Sequence, residues 1–233
     1  MKDLTVFILT HNRGEMLLET IDSVLNQTCH DFKFVVSDNS SNDETARLLK
    51  ERKLLDKFEY RKREREYPAF EHFNICLAEV ETKYFVLFHD DDIMLPEYVE
   101  TMYNAISGSE YVAVGCNAYY LLDTQQTTNV FFHNKIVLKC SYDLLKQYYI
   151  GKIAPFPSYI YNKTKLNNEI FNNQCGKYSD VSWIGALLHK GKIIWLKEPL
   201  MYYRKHHYQD SNSYSYNQQL KLIKYFGKQK ANK

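Results

Sequence analysis

No run of apolar residues in this chain approaches the ~20 needed to span a bilayer, and Met1-Lys2-Asp3-Leu4 passes directly into a strand pattern without a secretory signal. A cytoplasmic location is the expectation. Glycine-rich phosphate loops are missing as well. Neither G-x-x-x-x-G-K nor G-x-G-x-x-G occurs, which excludes the P-loop and dinucleotide-binding readings. The five cysteines (Cys29, Cys76, Cys116, Cys140 and Cys175) are scattered, odd in number and form no C-x-x-C pair. Reduced, mostly packed thiols are expected, and zinc is not. A formal charge of +2 on 233 residues gives no global electrostatic case for nucleic acid.

What is present is an ordinary globular balance, 45% hydrophobic and 25% charged, enough for one large α/β domain or two small ones. Twenty tyrosines and thirteen phenylalanines are many for this length. They read either as aromatic platforms for sugars or bases, or as a Tyr-rich, Ala-poor composition. Leu4 to Leu9 is a nearly continuous run of β-formers, consistent with a strand buried on both faces. It ends in the polar turn Thr10-His11-Asn12-Arg13-Gly14, and helical spacing follows through Leu25. Phe32 to Ser37 is a second strand, ending in Asp38-Asn39-Ser40-Ser41-Asn42-Asp43. A helix follows over Thr45 to Leu55, a short strand over Phe58 to Arg61, and a helix over Phe70 to Ala78.

The next strand, ending Phe85-Val86-Leu87-Phe88, runs into His89 and then Asp90-Asp91-Asp92. Three adjacent carboxylates repel one another unless a cation or several hydrogen-bond donors share the site. The stretch is either a divalent-metal and nucleotide site at a strand's carboxyl end or a solvated acidic turn capping a helix that starts near Pro96. Strand and helix alternate through about the first 110 residues, which argues for βαβ units and a parallel sheet. In such a sheet the three polar clusters Thr10-His11-Asn12, Asp38-Asn39-Ser40 and Asp90-Asp91-Asp92 share one edge. An acid for hydrogen bonding, a metal site and nearby basic residues suit a nucleoside diphosphate, with Mg²⁺ or Mn²⁺ bridging its oxygens.

The second half is less regular. Strand signal covers Tyr111 to Asn117, with β-like pieces at Ala118–Leu122 and Asn129–Phe132. A helix is expected over Tyr142 to Tyr149 and a strand over Ser158 to Tyr161. The spacing of Val181, Ile184, Leu187 and Leu188 marks a helix from Asp180 to His189, followed by strands at Lys192–Leu196 and Leu200–Tyr203. With no repeat, linker or low-complexity tract, the chain reads as one domain. Residues 1–117 form the regular half, 118–217 the less regular half, and 218–233 a basic tail. In that tail Leu220, Ile223 and Phe226 fall on one helical face among Lys221, Lys224, Lys228, Lys230 and Lys233. It is either a solvated terminal helix or one attracted to an anionic membrane surface.

Several motifs, in order, resemble the family 2 glycosyltransferases of the GT-A fold. Val6-Phe7-Ile8-Leu9-Thr10-His11-Asn12-Arg13 is similar to that family's opening strand. Ser23-Val24-Leu25-Asn26-Gln27-Thr28 and Phe34 through Asp43 follow in the family's order. Asn74, Tyr84 through Asp92, and Pro96 resemble the segment around its Asp-x-Asp motif. Tyr178-Ser179-Asp180-Val181-Ser182-Trp183 resembles an acid-containing helix start, and Tyr203-Arg204-Lys205-His206 a C-terminal strand end. Tyr119 to Phe171 match only vaguely.

The resemblance implies an α/β GT-A fold with a Rossmann-like, mostly parallel central sheet flanked by helices, residues 1–117 being a nucleotide-sugar-binding half and 118–217 a smaller mixed β/α acceptor-side half. It implies that Thr10 and His11 line a base pocket and that Asp38 accepts the uracil N3–H. Asp90 or Asp91 would hold ribose hydroxyls. Asp92, alone or with Asp91, would ligate the metal, with three acids in a row leaving the choice open. Arg63 would face the diphosphate, or belong to a solvated charged loop. Arg204, His206 and His207 would fold over the nucleotide, with His206 reaching the metal or diphosphate. Asp180 would be the general base of an inverting transfer, the competing reading being a helix N-cap. The expected reaction moves a hexose or N-acetylhexosamine from a UDP-sugar to a glycan hydroxyl, with Mn²⁺ or Mg²⁺ as cofactor. A lipid-linked oligosaccharide of bacterial O-antigen or capsule synthesis is the expected acceptor, at the inner face of the cytoplasmic membrane. A dTDP-sugar donor, a nucleotidyltransferase and a non-catalytic carbohydrate-binding module are the alternatives. Tyr67 to Phe73 replace the family's usual small residues, so sugar identity does not carry over.

Overall fold

The computed structural model describes residues 3–122, 124–206 and 215–231. Strand β1 (Leu4–Thr10) is buried along its whole length, as its unbroken apolar run requires. Its alternate side chains enter two different cores. Leu4, Val6 and Ile8 point to one face of the sheet; Phe7 and Leu9 point to the other. Strands β2 (Lys33–Asp38), β3 (Glu59–Lys62) and β4 (Tyr84–His89) join it in parallel, in the order β3-β2-β1-β4.

On the first face pack α1 (Gly14–Leu25), α2 (Glu44–Glu51) and α4 (Tyr98–Ile106), through Leu17, Ile21, Val24, Leu49, Val99, Met102 and Ile106. On the second lie α3 (Ala69–Ala78), α5 (Ser141–Tyr149), α6 (Ser179–Leu187) and α7 (Tyr216–Ala231), through Cys76, Leu77, Leu144, Trp183, Leu187, Leu222 and Phe226. The result is a three-layer α/β/α arrangement, the outcome expected when a parallel sheet must be covered on both faces.

Beyond β4 the sheet continues through an antiparallel strand, β9 (Tyr159–Asn162), to β6 (Ala113–Leu122) and β10 (Ile193–Lys205), which are parallel to each other. Because two antiparallel steps restore direction, β10 ends at the same edge as β4. Two-residue β5 (Ile93–Met94) and short β8 (Ile136–Leu138) pair with β10, and β7 (Gln125–Val130) pairs with β6. Pieces that looked separate in sequence are continuous. β6 runs through Asn117-Ala118 as one strand. β10 absorbs Glu198-Pro199 with register shifts on either side of Pro199, because proline has no N–H for the ladder.

The face of α7 differs from the expected one. Leu222 and Phe226 are buried, whereas Ile223 is 42% exposed. Phe226 lies against Gly185 of α6, where a Cβ would overlap the ring. Lys233 of the basic tail lies outside the described residues. Among the described residues no helix is long and apolar enough to cross a membrane.

Candidate active site

The register of the parallel strands builds the site. Thr10 pairs with Asp38 and Leu9 with His89, so β1, β2 and β4 end level and their polar turns meet. Asn12, at φ 55°, turns the chain into α1. Its N–H donates to Ser40 Oγ at 2.8 Å, and its side-chain oxygen accepts from the Ser41 N–H.

All three acids after β4 are buried, so the solvated-turn reading fails. Each has different partners. Asp90 Oδ2 accepts from Thr10 Oγ1 at 2.8 Å and from the His11 N–H at 3.0 Å. Arg13 Nη1 reaches Asp90 Oδ1 at 3.0 Å and Asp91 Oδ2 at 3.1 Å. His206 Nε2 lies 3.0 Å from the same Asp91 oxygen. Asp92 Oδ1 accepts the Arg204 N–H at 2.9 Å, while its Oδ2 has no hydrogen-bond partner among the described residues. Arg204 sends Nε to the Asp91 carbonyl at 2.8 Å and Nη2 to Glu19 at 2.5 Å.

These surroundings separate the three proton affinities. Burial, and then the charge of Asp91, raise Asp90 above the ordinary carboxylate value. Burial also pushes Asp91 up, but His89, Arg13 and His206 outweigh it and hold Asp91 low. Asp92, fully enclosed beside Asp91, is raised well above the ordinary value. One atom each from His89, Asp91 and Asp92 lie within 4.8 Å of one another, a spacing that could hold a metal ion. His89 is fixed by stacking on Phe73, with ring centroids 6.0 Å apart and 9° between planes.

Asp38 is fully buried. It accepts from the Ser40 N–H at 2.8 Å, from Tyr60 Oη at 2.6 Å and from Lys62 Nζ at 3.4 Å. His11 presents its ring at the rim, 2.9 Å from Glu66. Arg63 corrects an expectation. Its Nε and Nη2 donate to Ser37 Oγ at 3.0 and 2.7 Å, and its nitrogens pair with Glu79 at 2.5 and 2.8 Å. Ser37 also bonds His72 Nε2 of α3. The guanidinium is therefore used inside the β2–α3 layer and does not face a diphosphate.

Asp180 stands in the first turn of α6, where Tyr178 is the N-cap residue. The N-cap reading is thus displaced by two residues, although Asp180 Oδ1 does accept the Val181 N–H at 2.7 Å. Burial raises its pKa to about 6 despite that local hydrogen bond. Phe156 lies 5.6 Å from His89 and 6.3 Å from Trp183, one turn along α6. One aromatic ring thus separates the helix of Asp180 from the acid cluster. His207 lies outside the described residues.

Sequence reasoning did not single out Arg13, His89 or Glu19. The signal for Arg13 was available: three adjacent acids demand a cation, and Arg13 is the basic residue at a neighbouring strand end. His89 is the last residue of β4, and its role follows only from the register that sets it level with the end of β1.

The three-layer sandwich, with buried carboxylates directly after β4, has the GT-A fold of the glycosyltransferase structures it superposes on. The chain belongs to glycosyl transferase family 2, whose family model matches residues 5–175. That match stops before Asp180, Arg204 and His206. Among curated relatives, the chain is 25% identical over 208 residues to the GalNAc(5)-diNAcBac-PP-undecaprenol beta-1,3-glucosyltransferase of Campylobacter jejuni, covering 88% of this chain and 65% of that one. It is 33% identical over 108 residues to the poly(ribitol-phosphate) beta-N-acetylglucosaminyltransferase TarP of Staphylococcus aureus, covering 45% and 33%. The S. aureus TarS 1–349 structure in complex with UDP-GlcNAc superposes with a TM-score of 0.69 at 18% identity, over 92% of this chain and 62% of that one. The mannosyltransferase PcManGT of Pyrobaculum calidifontis, in complex with GDP-Man and Mn²⁺, gives 0.62 at 14%, over 87% and 56%. The chain therefore spans about two thirds or less of these proteins.

Proposed function

We propose that this glycosyltransferase is an inverting, metal-dependent enzyme that moves a hexose or N-acetylhexosamine from a UDP-sugar to a hydroxyl of a growing glycan. The observation that carries the reading is the buried Asp90-Asp91-Asp92 cluster, level with Asp38, in which Asp92 Oδ2 is buried and unpartnered. A buried carboxylate oxygen with nothing to bond is costly unless a cation completes it. His89, Asp91 and Asp92 are an imidazole-and-carboxylate set that fits Mn²⁺ or Mg²⁺. Such an ion, when bound, supplies charge neutralisation for the departing diphosphate.

The chain's own side chains account for the rest. Asp38, rigidly held by Ser40 and Tyr60, retains lone-pair capacity for the N3–H of a uracil. Cytosine has no hydrogen there, so a carboxylate rejects cytidine donors; thymine keeps it, so a dTDP-sugar is the alternative donor. Thr10 and the His11 N–H fix Asp90 toward the ribose. Asp180 takes the acceptor hydroxyl's proton as the new C–O bond forms. With a pKa of about 6 it is ionised at neutral pH and more basic than an ordinary carboxylate.

The C. jejuni relative, a glucosyltransferase named for an undecaprenol-linked glycan, supports a lipid-linked oligosaccharide acceptor in bacterial surface-polysaccharide synthesis. The UDP-GlcNAc bound to TarS supports the UDP-sugar donor. A lipid-linked acceptor would bring the chain to the inner face of the cytoplasmic membrane, where exposed Lys221, Ile223 and Lys224 of α7 suit an anionic surface. We read the chain as one functional unit, with residues 1–117 binding the donor and 118–217 the acceptor. The test is Asp180→Asn, assayed by UDP release across nucleotide sugars and by calorimetry with UDP and Mn²⁺. Turnover should vanish while UDP binding stays within a few-fold of wild type. Unchanged turnover removes Asp180 from the role of base.

A further inference from the structure

The cluster of three acids carries its own counter-ion. Arg13 Nη1 bridges Asp90 Oδ1 and Asp91 Oδ2 at 3.0 and 3.1 Å, joining carboxylates that would otherwise repel at close range. Other cations at this edge are committed elsewhere. Arg63 is held by Ser37 and Glu79. Lys62 bonds Asp38 and the carbonyls of Ser40 and Asn42. The Arg204 side chain is 6% exposed and spans the Asp91 carbonyl and Glu19. The Arg13 side chain is 28% exposed, so it borders the acids and still meets solvent.

That placement has a chemical consequence once a nucleoside diphosphate enters. Asp91 belongs both to the Arg13 ion pair and to the His89/Asp91/Asp92 group. A divalent cation on Asp91 would add positive charge next to a guanidinium already pairing that same carboxylate, and two cations on one carboxylate repel. An incoming diphosphate offers Arg13 new anionic oxygens at the moment its share of Asp91 is contested. The guanidinium's planar fork of five donors suits phosphate oxygens, where a lysine's point charge would not bind in two-pronged fashion. We propose that Arg13 is a diphosphate-contacting residue of the donor site. It is the counter-ion of Asp90 and Asp91 before the donor binds, and it passes to the diphosphate when the donor and cation arrive. The inference rests on the reading of the site as a UDP-sugar site and assigns the cationic diphosphate contact that Arg63 does not provide.

The test compares UDP with uridine, because only UDP carries the diphosphate. Binding of each, with Mn²⁺ present, is measured by calorimetry or ligand-observed NMR for the wild type, Arg13→Gln and Arg13→Lys. Uridine binding also reports that the variants are folded. For Arg13→Gln, UDP affinity should fall at least about tenfold, the scale of one charge-assisted hydrogen bond, while uridine affinity stays within about twofold. Arg13→Lys should lie between wild type and Arg13→Gln. Equal weakening of UDP and uridine would make Arg13 a structural counter-ion only and overturn the proposal. So would UDP affinity that the substitutions leave unchanged. A wild type that binds neither UDP nor uridine would instead overturn the donor reading on which the proposal stands.

Discussion

Asp90, Asp91 and Asp92 are consecutive in sequence yet differ in proton affinity, because Arg13 and His206 converge on Asp91 whereas burial dominates at Asp90 and Asp92. Asp92 has one oxygen bonded to Arg204 and one without a partner. Asp92→Asn should therefore leave the ligand-free protein at least as heat-stable as wild type near neutral pH, since it removes a carboxyl group whose ionised form burial and Asp91 disfavour. The same substitution should abolish the stimulation of UDP binding by Mn²⁺. Melting curves and titrations with and without Mn²⁺ separate the two effects.

Asp180 yields a second residue-scale prediction. Its folded-state pKa of about 6 exceeds the unfolded value of about 3.9, so the protonated form is favoured by folding. Its stabilising contribution is complete below the unfolded value and is lost as pH rises through about 6. Turnover should accordingly show an acidic limb near pH 6. Asp180→Asn should raise the melting temperature by several degrees at pH 8, where the wild type must bury a carboxylate, by about half as much at pH 5, and by little below about pH 4. An identical difference across these pH values would contradict the assigned shift.

At the scale of elements, α6 and α7 depend on one close approach. Gly185 leaves room for the Phe226 ring, and any Cβ at that position would overlap it. Gly185→Val should cost on the order of 1–3 kcal/mol by overpacking, seen as a lower urea midpoint. Phe226→Ala should cost about 3–5 kcal/mol through the cavity it leaves. The double variant should lose less than the sum, because the small residue at 226 removes the clash. A fully additive pair would show that α7 does not dock on α6 through this contact. Of the expected face Leu220, Ile223 and Phe226, the structure buries Phe226 and replaces Ile223 by Leu222. Among alternating apolar and basic residues the 3.6-residue period admits two faces, and only the shape of α6 chooses Leu222 and Phe226.

On the scale of the whole molecule, the proposed donor site draws its residues from the ends of β1, β2, β4 and β10, so a ligand for it should stabilise the fold cooperatively. At concentrations near 100-fold above Kd, UDP with Mn²⁺ should add about 2.7 kcal/mol, or roughly 5–10 °C in melting temperature. Either component alone should add less, and thermal-shift measurements read this directly. A melting temperature indifferent to both would count against the assigned site.

What the sequence by itself determined was local and periodic: β1 as a doubly buried strand, the βα alternation, and the polar turns at Thr10, Asp38 and Asp90. The order of motifs also indicated the family. Such features follow from side-chain alternation and strand termination within a few residues. The short strands β5 and β8, the continuity of β10 through Pro199, and the antiparallel β9 between β4 and β6 were not legible, since they rest on pairing partners distant in sequence. The same holds in the site. Arg13 pairs with an acid 77 residues away, and the Arg204 N–H with one 112 residues away. Arg63 is withdrawn to Glu79 by competition among charges. Which cation reaches which carboxylate is set by reach and burial across the sheet edge, and only the tertiary structure decides that.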